Sequence, residues 1–339
     1  MKNMIILFLL IALFFSDPSS AQMKKVGQSG MTYLSISLSA RESAMGAAGI
    51  AAIDGVQSVF YNPASLTQVN GVAMAINQVN WLADTRVIGM GAAVTTRRYG
   101  SVGLDLVYVD YGEIMGTQRV DKSVDERGYT LTGNLNIQDY AVGLSYAYPV
   151  NDRFSFGGKI KLVHEDLGTA AIAVDVIDQD AEIYQMEERE WKLSHWGVDI
   201  GAHYKTGYRD LALAIAFMNY STDMHYWREV FQLPLVLKMG MAMNVLSIFN
   251  EDENIKLNMA IDALHPIDYS ERVHVGAEFV YLDLIALRAG YQFNHDVENF
   301  SAGFGVKFSF QGVGGSLDYA YTNAEYFDNV NRFSLGFHF

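Results

Sequence analysis

The chain closes on an unbroken alternation of apolar and polar residues, Arg332-Phe333-Ser334-Leu335-Gly336-Phe337-His338-Phe339. Successive side chains of a strand point to opposite faces, so Phe333, Leu335, Phe337 and Phe339 line one face and Arg332, Ser334, Gly336 and His338 the other. One face suits hydrocarbon, the other water. The same period-2 pattern recurs in fourteen segments, at about 71–80, 86–96, 99–110, 138–148, 153–164, 193–204, 211–220, 233–246, 254–264, 272–281, 284–293, 298–309, 313–323 and 330–339. Most hold about 10 residues, the length a tilted strand needs to cross a hydrocarbon layer. The pattern predicts an all-β fold, a transmembrane antiparallel barrel of about 14 strands, whose even count brings both barrel ends to one side.

The connections test this reading independently. Tight ones at 97–98, 149–152, 205–210, 282–283 and 310–312 alternate with long ones at 111–137, 165–192 and 221–232. Such alternation is expected when one rim faces the periplasm and the other the exterior. Residues 247–253 are longer than the pattern asks and 81–85 shorter, and twelve or sixteen strands stay open on sequence alone.

Residues 1–21 read as a secretory signal peptide: one Lys near the start, an apolar run at 5–15 and small residues Ser19-Ser20-Ala21. That run is too short to cross a bilayer as a helix. The chain has no cysteine, which removes disulfides, thiolate metal sites and thiol nucleophiles. Its 24 Lys and Arg against 38 Asp and Glu argue against nucleic acid, whose phosphates need a basic surface.

Facing follows from register. In residues 300–308 the aromatics point to lipid, while Ser301, Gly303, Gly305 and Lys307 point to the lumen. By the same rule Lys159, Lys161, Asp199, Lys238, Lys256, Asp262, Glu278, Arg288 and Asp318 point inward. Charges of both signs on the inner face predict paired side chains rather than an ion-conducting path. Asp262, His265 and Arg272 flank one connection and read as a rim ion pair.

Residues 22–70 lack strand alternation. They carry the small-residue run Ser39-Ala40-Arg41-Glu42-Ser43-Ala44-Met45-Gly46-Ala47-Ala48-Gly49, then Asp54, then Phe60-Tyr61-Asn62-Pro63-Ala64-Ser65-Leu66 around an Asn-Pro turn. An apolar, glycine-rich segment that is neither membrane strand nor soluble domain is expected to fill the lumen as a hatch. The division is therefore 1–21 signal, 22–70 hatch and 71–339 barrel.

Arg41, Met45-Gly46, Asp54 and Tyr61-Asn62-Pro63-Ala64-Ser65-Leu66 together resemble the N-terminal signature of the PorV/PorQ family, itself similar to FadL-type barrels that carry long-chain fatty acids. Asp262-Ala263-Leu264-His265-Pro266 with Arg272, Leu287-Arg288-Ala289-Gly290-Tyr291 and Asp318-Tyr319-Ala320-Tyr321 extend the resemblance over nearly all of the mature chain. Ser65 stands where glycine is usual, and Gly55 where a second acid often follows Asp54. The terminal Phe333, Leu335, Phe337 and Phe339 resemble the C-terminal assembly signal of outer-membrane barrels. The resemblance implies the outer membrane of a diderm bacterium, with membrane lipid and the barrel assembly machinery as partners. It also implies a role in type IX-like secretion or surface assembly through exterior loops; the alternative is FadL-like transport of a hydrophobic ligand.

No nucleophile-elbow serine, phosphate-binding glycine loop or paired-carboxylate setting appears, so neither an enzyme nor a cofactor is expected. His164-Glu165-Asp166 opens loop 165–192, where acidic residues are ordinary. That loop joins Asp175, Glu187, Glu188 and Glu190 to apolar bulk such as Ile172, Val176 and Trp191, a mixture suited to a solvated lid or to docking another protein.

Overall fold

A computed structural model describes residues 27–96, 98–178, 183–249 and 254–339. The signal-peptide reading of residues 1–21 lies outside them. The strands are β1 (Val72–Asn80), β2 (Arg86–Thr96), β3 (Gly100–Asp110), β4 (Met115–Arg119), β5 (Tyr129–Asn134), β6 (Gln138–Pro149), β7 (Phe154–Asp178), β8 (Ile183–Lys205) and β9 (Ala212–Tyr220). They continue with β10 (Met224–His225), β11 (Val230–Phe231), β12 (Val236–Asn244), β13 (Ile255–Pro266), β14 (Arg272–Tyr281), β15 (Ile285–Phe293), β16 (Glu298–Phe310), β17 (Val313–Ala324) and β18 (Val330–His338). Fourteen of them close into one antiparallel barrel, and β4–β5 and β10–β11 form two small hairpins outside it. The fourteen alternating segments of the sequence are these barrel strands.

The seam joins β1 to β18, with Met74 opposite Phe337 and Ile76 opposite Leu335. Beyond it, the Val72 and Phe339 backbones exchange two hydrogen bonds, 2.8 and 3.3 Å. Outward side chains such as Met74, Ile76, Leu104, Leu144, Ile160 and Phe304 are exposed and apolar, whereas the alternate positions are buried. An apolar outer band on a closed sheet is stable only in a bilayer, where closure satisfies every backbone group. We expect Phe339→Asp to lower the yield of assembled barrel, because it places a charge on the lipid face of the closing strand. Heat-modifiable gel mobility reads the folded fraction, and an unchanged fraction would refute the assembly role.

One expectation is corrected. Residues 165–178 and 183–192 do not form an irregular loop: β7 and β8 run on as a two-stranded ribbon, pairing Asp166 with Lys192, Thr169 with Glu190 and Ala170 with Arg189. Register breaks after Asp166 and Ala173 interrupt the ladder, as bulges do where a ribbon bends. Thr169, Ala170, Glu187, Glu188 and Glu190 are exposed, successive residues among them, so the alternation that marks a membrane strand fades.

Candidate functional site

Residues between 31 and 68 pack against the inward face of the barrel. A single short helix, α1 (Ala40–Ala44), and three 3-10 turns (Thr32–Ser35, Gly55–Phe60, Pro63–Gln68) shape this segment. Two glycine contacts bring it to the wall. The Met45-Gly46 backbone lies so close to Gly276 and Gly290 that neither wall position has room for a side chain. Gly46 itself has φ of 66°, a left-handed conformation that glycine adopts without steric cost. At the other end, Asn62 caps the Pro63–Gln68 turn by accepting the Ala64 amide at 3.1 Å. Its side-chain amide donates to the Ala202 carbonyl at 3.2 Å. The Tyr61 hydroxyl accepts the Ser39 amide and contacts the Ser37 hydroxyl, both at 2.9 Å. Met45, Ala64 and Leu66 are fully buried.

Charged residues tie the same segment to the wall. Arg41 donates to both carboxylate oxygens of Glu278 at 3.0 Å. It also reaches Glu42 and Asp54, each at 3.2 Å. Glu278 in turn accepts Arg288 at 2.8 Å, and Arg288 donates to Asp318 at 2.8 Å. One inner-wall arginine thus joins two carboxylates, one of them shared with Arg41. Burial pushes the Glu42 carboxyl above its ordinary range, against the pull of Arg41. Arg332 reaches Glu298 at 2.6 Å, Thr322 at 2.7 Å and the Ser37 carbonyl at 2.9 Å. Lys159 pairs with Asp105 at 2.7 Å.

The structure distributes the proposed rim group differently from a single ion pair. Asp262 is buried in the wall, where its Oδ2 accepts the Gly49 and Ile50 amides at 2.7 and 3.0 Å. His265 instead meets Glu271 at 3.3 Å on the exposed rim. Arg272 turns to Asp296 at 3.6 Å and to the Tyr269 ring at 4.5 Å. Asp262, His265 and Arg272 are therefore three separate contacts. Their positions in sequence are close, but strand pairing faces them toward different partners. Lys256 reaches the turn residue Asp283 at 2.9 Å. Met239 and Met241 lie exposed on the outer face of β12.

Between residues 33–38 and the barrel wall lies a cavity of about 150 Å³. Its apolar side includes Leu34, Ile36, Val107, Ala141, Met218 and Leu264; its polar side includes Lys161, Asp199, Lys238, Arg272 and His274. Asp199 also organises a break in the wall. Asn219, next to the last residue of β9, has φ of 64°, and its freed amide donates to Asp199 Oδ1 at 2.7 Å. Lys161 neutralises Asp199 at 2.8 Å and also contacts the Asn219 side chain. The β8–β9 register slips here, between Val198 and Ile200, as at a bulge. Sequence reasoning placed Lys161, Asp199 and Lys238 inward but did not single out His274 or Asn219. The one signal in the residue pattern of β9 is that polar Asn219 falls on the outward parity of Leu213, Ile215 and Phe217, yet is buried.

Nothing matches among protein-family models, and no curated protein sequence matches either. Solved structures do. The Pseudomonas putida toluene transporter TodX aligns over 88% of this chain and 97% of its own, with a TM-score of 0.56 and 12% identity. The CymD monoaromatic hydrocarbon channel covers 88% and 96%, with a TM-score of 0.55 and 12% identity. A Pseudomonas aeruginosa FadL homologue covers 88% and 97%, with a TM-score of 0.52 and 11% identity. The fold is that of the FadL-like outer-membrane barrels. The apolar outer band is that of a barrel that spans a membrane.

Proposed function

We propose that this chain is a non-enzymatic outer-membrane channel for small, largely apolar molecules, with residues 27–70 acting as a hatch in the lumen. The observation that carries the reading is the two-sided cavity between residues 33–38 and the wall. A lumen occupied by an internal segment, with a molecule-sized void beside it, suits stepwise passage of single solutes better than bulk flow. Pockets for small molecules combine an apolar lining with a few placed polar groups, and this cavity has both. The toluene and monoaromatic hydrocarbon channels of similar fold support the same direction.

The secretion or surface-assembly role implied by the PorV/PorQ resemblance would use the exterior ribbon of β7 and β8 as a docking surface. The similar solved structures favour the channel reading over it. Affinity purification from native membranes, with analysis of both bound proteins and bound small molecules, separates the two. Recovery of a bound apolar small molecule, together with faster whole-cell uptake of labelled monoaromatic probes, is expected. A stoichiometric protein partner with no bound small molecule and no uptake would overturn the channel reading.

A further inference from the structure

The cavity described above holds nitrogen donors that nothing in the protein satisfies. Of the three lysines lining it, Lys159 and Lys161 each have a carboxylate, Asp105 at 2.7 Å and Asp199 at 2.8 Å. The lining carboxylate Glu298 belongs to Arg332 at 2.6 Å. Asp268 accepts the Ser29 hydroxyl. Lys238 makes no hydrogen bond or ion pair among the described residues; the Tyr61 ring lies 5.9 Å from its ammonium. His274 is 4% exposed. Neither of its ring nitrogens has a hydrogen-bond partner of normal geometry, although the Ala47 carbonyl is its neighbour. Arg272 Nε is likewise buried without a partner.

Register gathers these groups on one patch of wall. Lys238 stands opposite Leu264, and Leu264 opposite Arg272, so the two cations share one level across β12, β13 and β14. His274 lies two residues along β14 on the same face, opposite Asp262. Strands about 4.8 Å apart put Lys238 and Arg272 roughly 10 Å apart at the backbone, a span that two long side chains close around one small group. Asp262, two residues from Leu264 on β13, makes no hydrogen bond to Lys238: its Oδ2 is taken by the Gly49 and Ile50 amides, and its Oδ1 is buried without a partner. A buried polar atom without a partner is unfavourable, so the unpartnered nitrogens of His274 and Arg272, on one patch of wall with the acid-free Lys238, mark a place suited to an acceptor.

We infer that this cavity binds a small amphipathic monoanion, a carboxylate joined to a single ring or a short chain. The carboxylate lies among Lys238, His274 and Arg272, and the apolar part against Leu34, Ile36, Val107 and Met218. The inference rests on the channel reading and narrows it. Size sets the upper limit: a void of about 150 Å³ accommodates one six-membered ring, and a long acyl chain does not fit. Charge sets the preference, since a neutral hydrocarbon leaves all three donors unsatisfied.

Calorimetric titration of the full-length protein in a non-ionic detergent tests this with three probes of matched shape: benzoate, benzamide and toluene. Benzoate is expected to bind, with benzamide and toluene at least about tenfold weaker, as the loss of one charge-assisted hydrogen bond implies. Lys238→Met is expected to weaken benzoate by about tenfold or more and to leave benzamide unchanged, while Lys238→Arg retains most of the affinity. If Lys238 serves only as a counter-ion within the wall, Lys238→Met changes stability and not benzoate binding. Equal affinity for benzoate and toluene, or benzoate affinity indifferent to Lys238→Met, overturns the anion site and leaves the channel reading standing. Failure of all three probes to bind, with no uptake of monoaromatic probes, overturns both.

Discussion

Excision of residues 31–68 should convert a closed barrel into one that passes ions. The intact protein is expected to show no stable conductance in a planar bilayer, and the excised form a steady open level larger by an order of magnitude or more. The segment fills the space between opposite walls: Met45 rests on Gly276 and Gly290, and Asn62-Pro63-Ala64 on Gly157 and Gly201. These wall positions are glycines, so removing the segment leaves a wide gap rather than one that wall side chains refill. The barrel itself should persist, because its strands are hydrogen-bonded to one another around a complete circle and do not depend on the segment for backbone pairing. Circular dichroism and heat-modifiable mobility check that the sheet survives. A large stable conductance from the intact protein would defeat the hatch, whatever the excised form does.

Much of this architecture was legible because each membrane strand faces two media. Phe304 and Gly305, or Leu335 and Ser334, answer to lipid and lumen in turn, and that difference is written residue by residue. Legibility stopped where the two faces stop differing. Glu187, Glu188 and Glu190 belong to strand β8, yet both sides of the ribbon there meet water and the segment reads as a loop.

The lumenal charges show a second limit. That Lys161, Asp199, Glu278, Arg288 and Asp318 point inward follows from alternation alone. Their partnerships do not: Arg41 meets Glu278 across 237 positions of sequence, and Asp262 caps the Gly49 and Ile50 amides rather than joining its sequence neighbour His265. Which cation is left without an acid depends on register between non-consecutive segments. Lys238 was therefore visible as inward-facing but not as unpaired, and His274 gave no signal beyond its parity.

Arg288→Met should be among the most damaging single changes in the wall. The guanidinium joins Glu278 and Asp318 at 2.8 Å each, and its side chain is 2% exposed. Methionine preserves much of the volume but leaves Asp318 without its cation and Glu278 dependent on Arg41 and the Asn258 amide, which donates at 2.9 Å. Breaking a buried ion pair from one side costs about 3–5 kcal/mol, because the remaining charge stays desolvated. Glu278 keeps a second arginine, so the lower end, about 3 kcal/mol, is expected, read as a fall in the urea midpoint of the protein refolded into lipid vesicles. The double variant Arg288→Met with Asp318→Leu removes the orphaned acid and should recover part of the loss, since replacing both partners by apolar groups is often nearly neutral. Equal destabilisation of the single and double variants would mean that Arg288 acts through packing. Recovery in the double variant identifies the uncompensated Asp318 charge as the source of the loss.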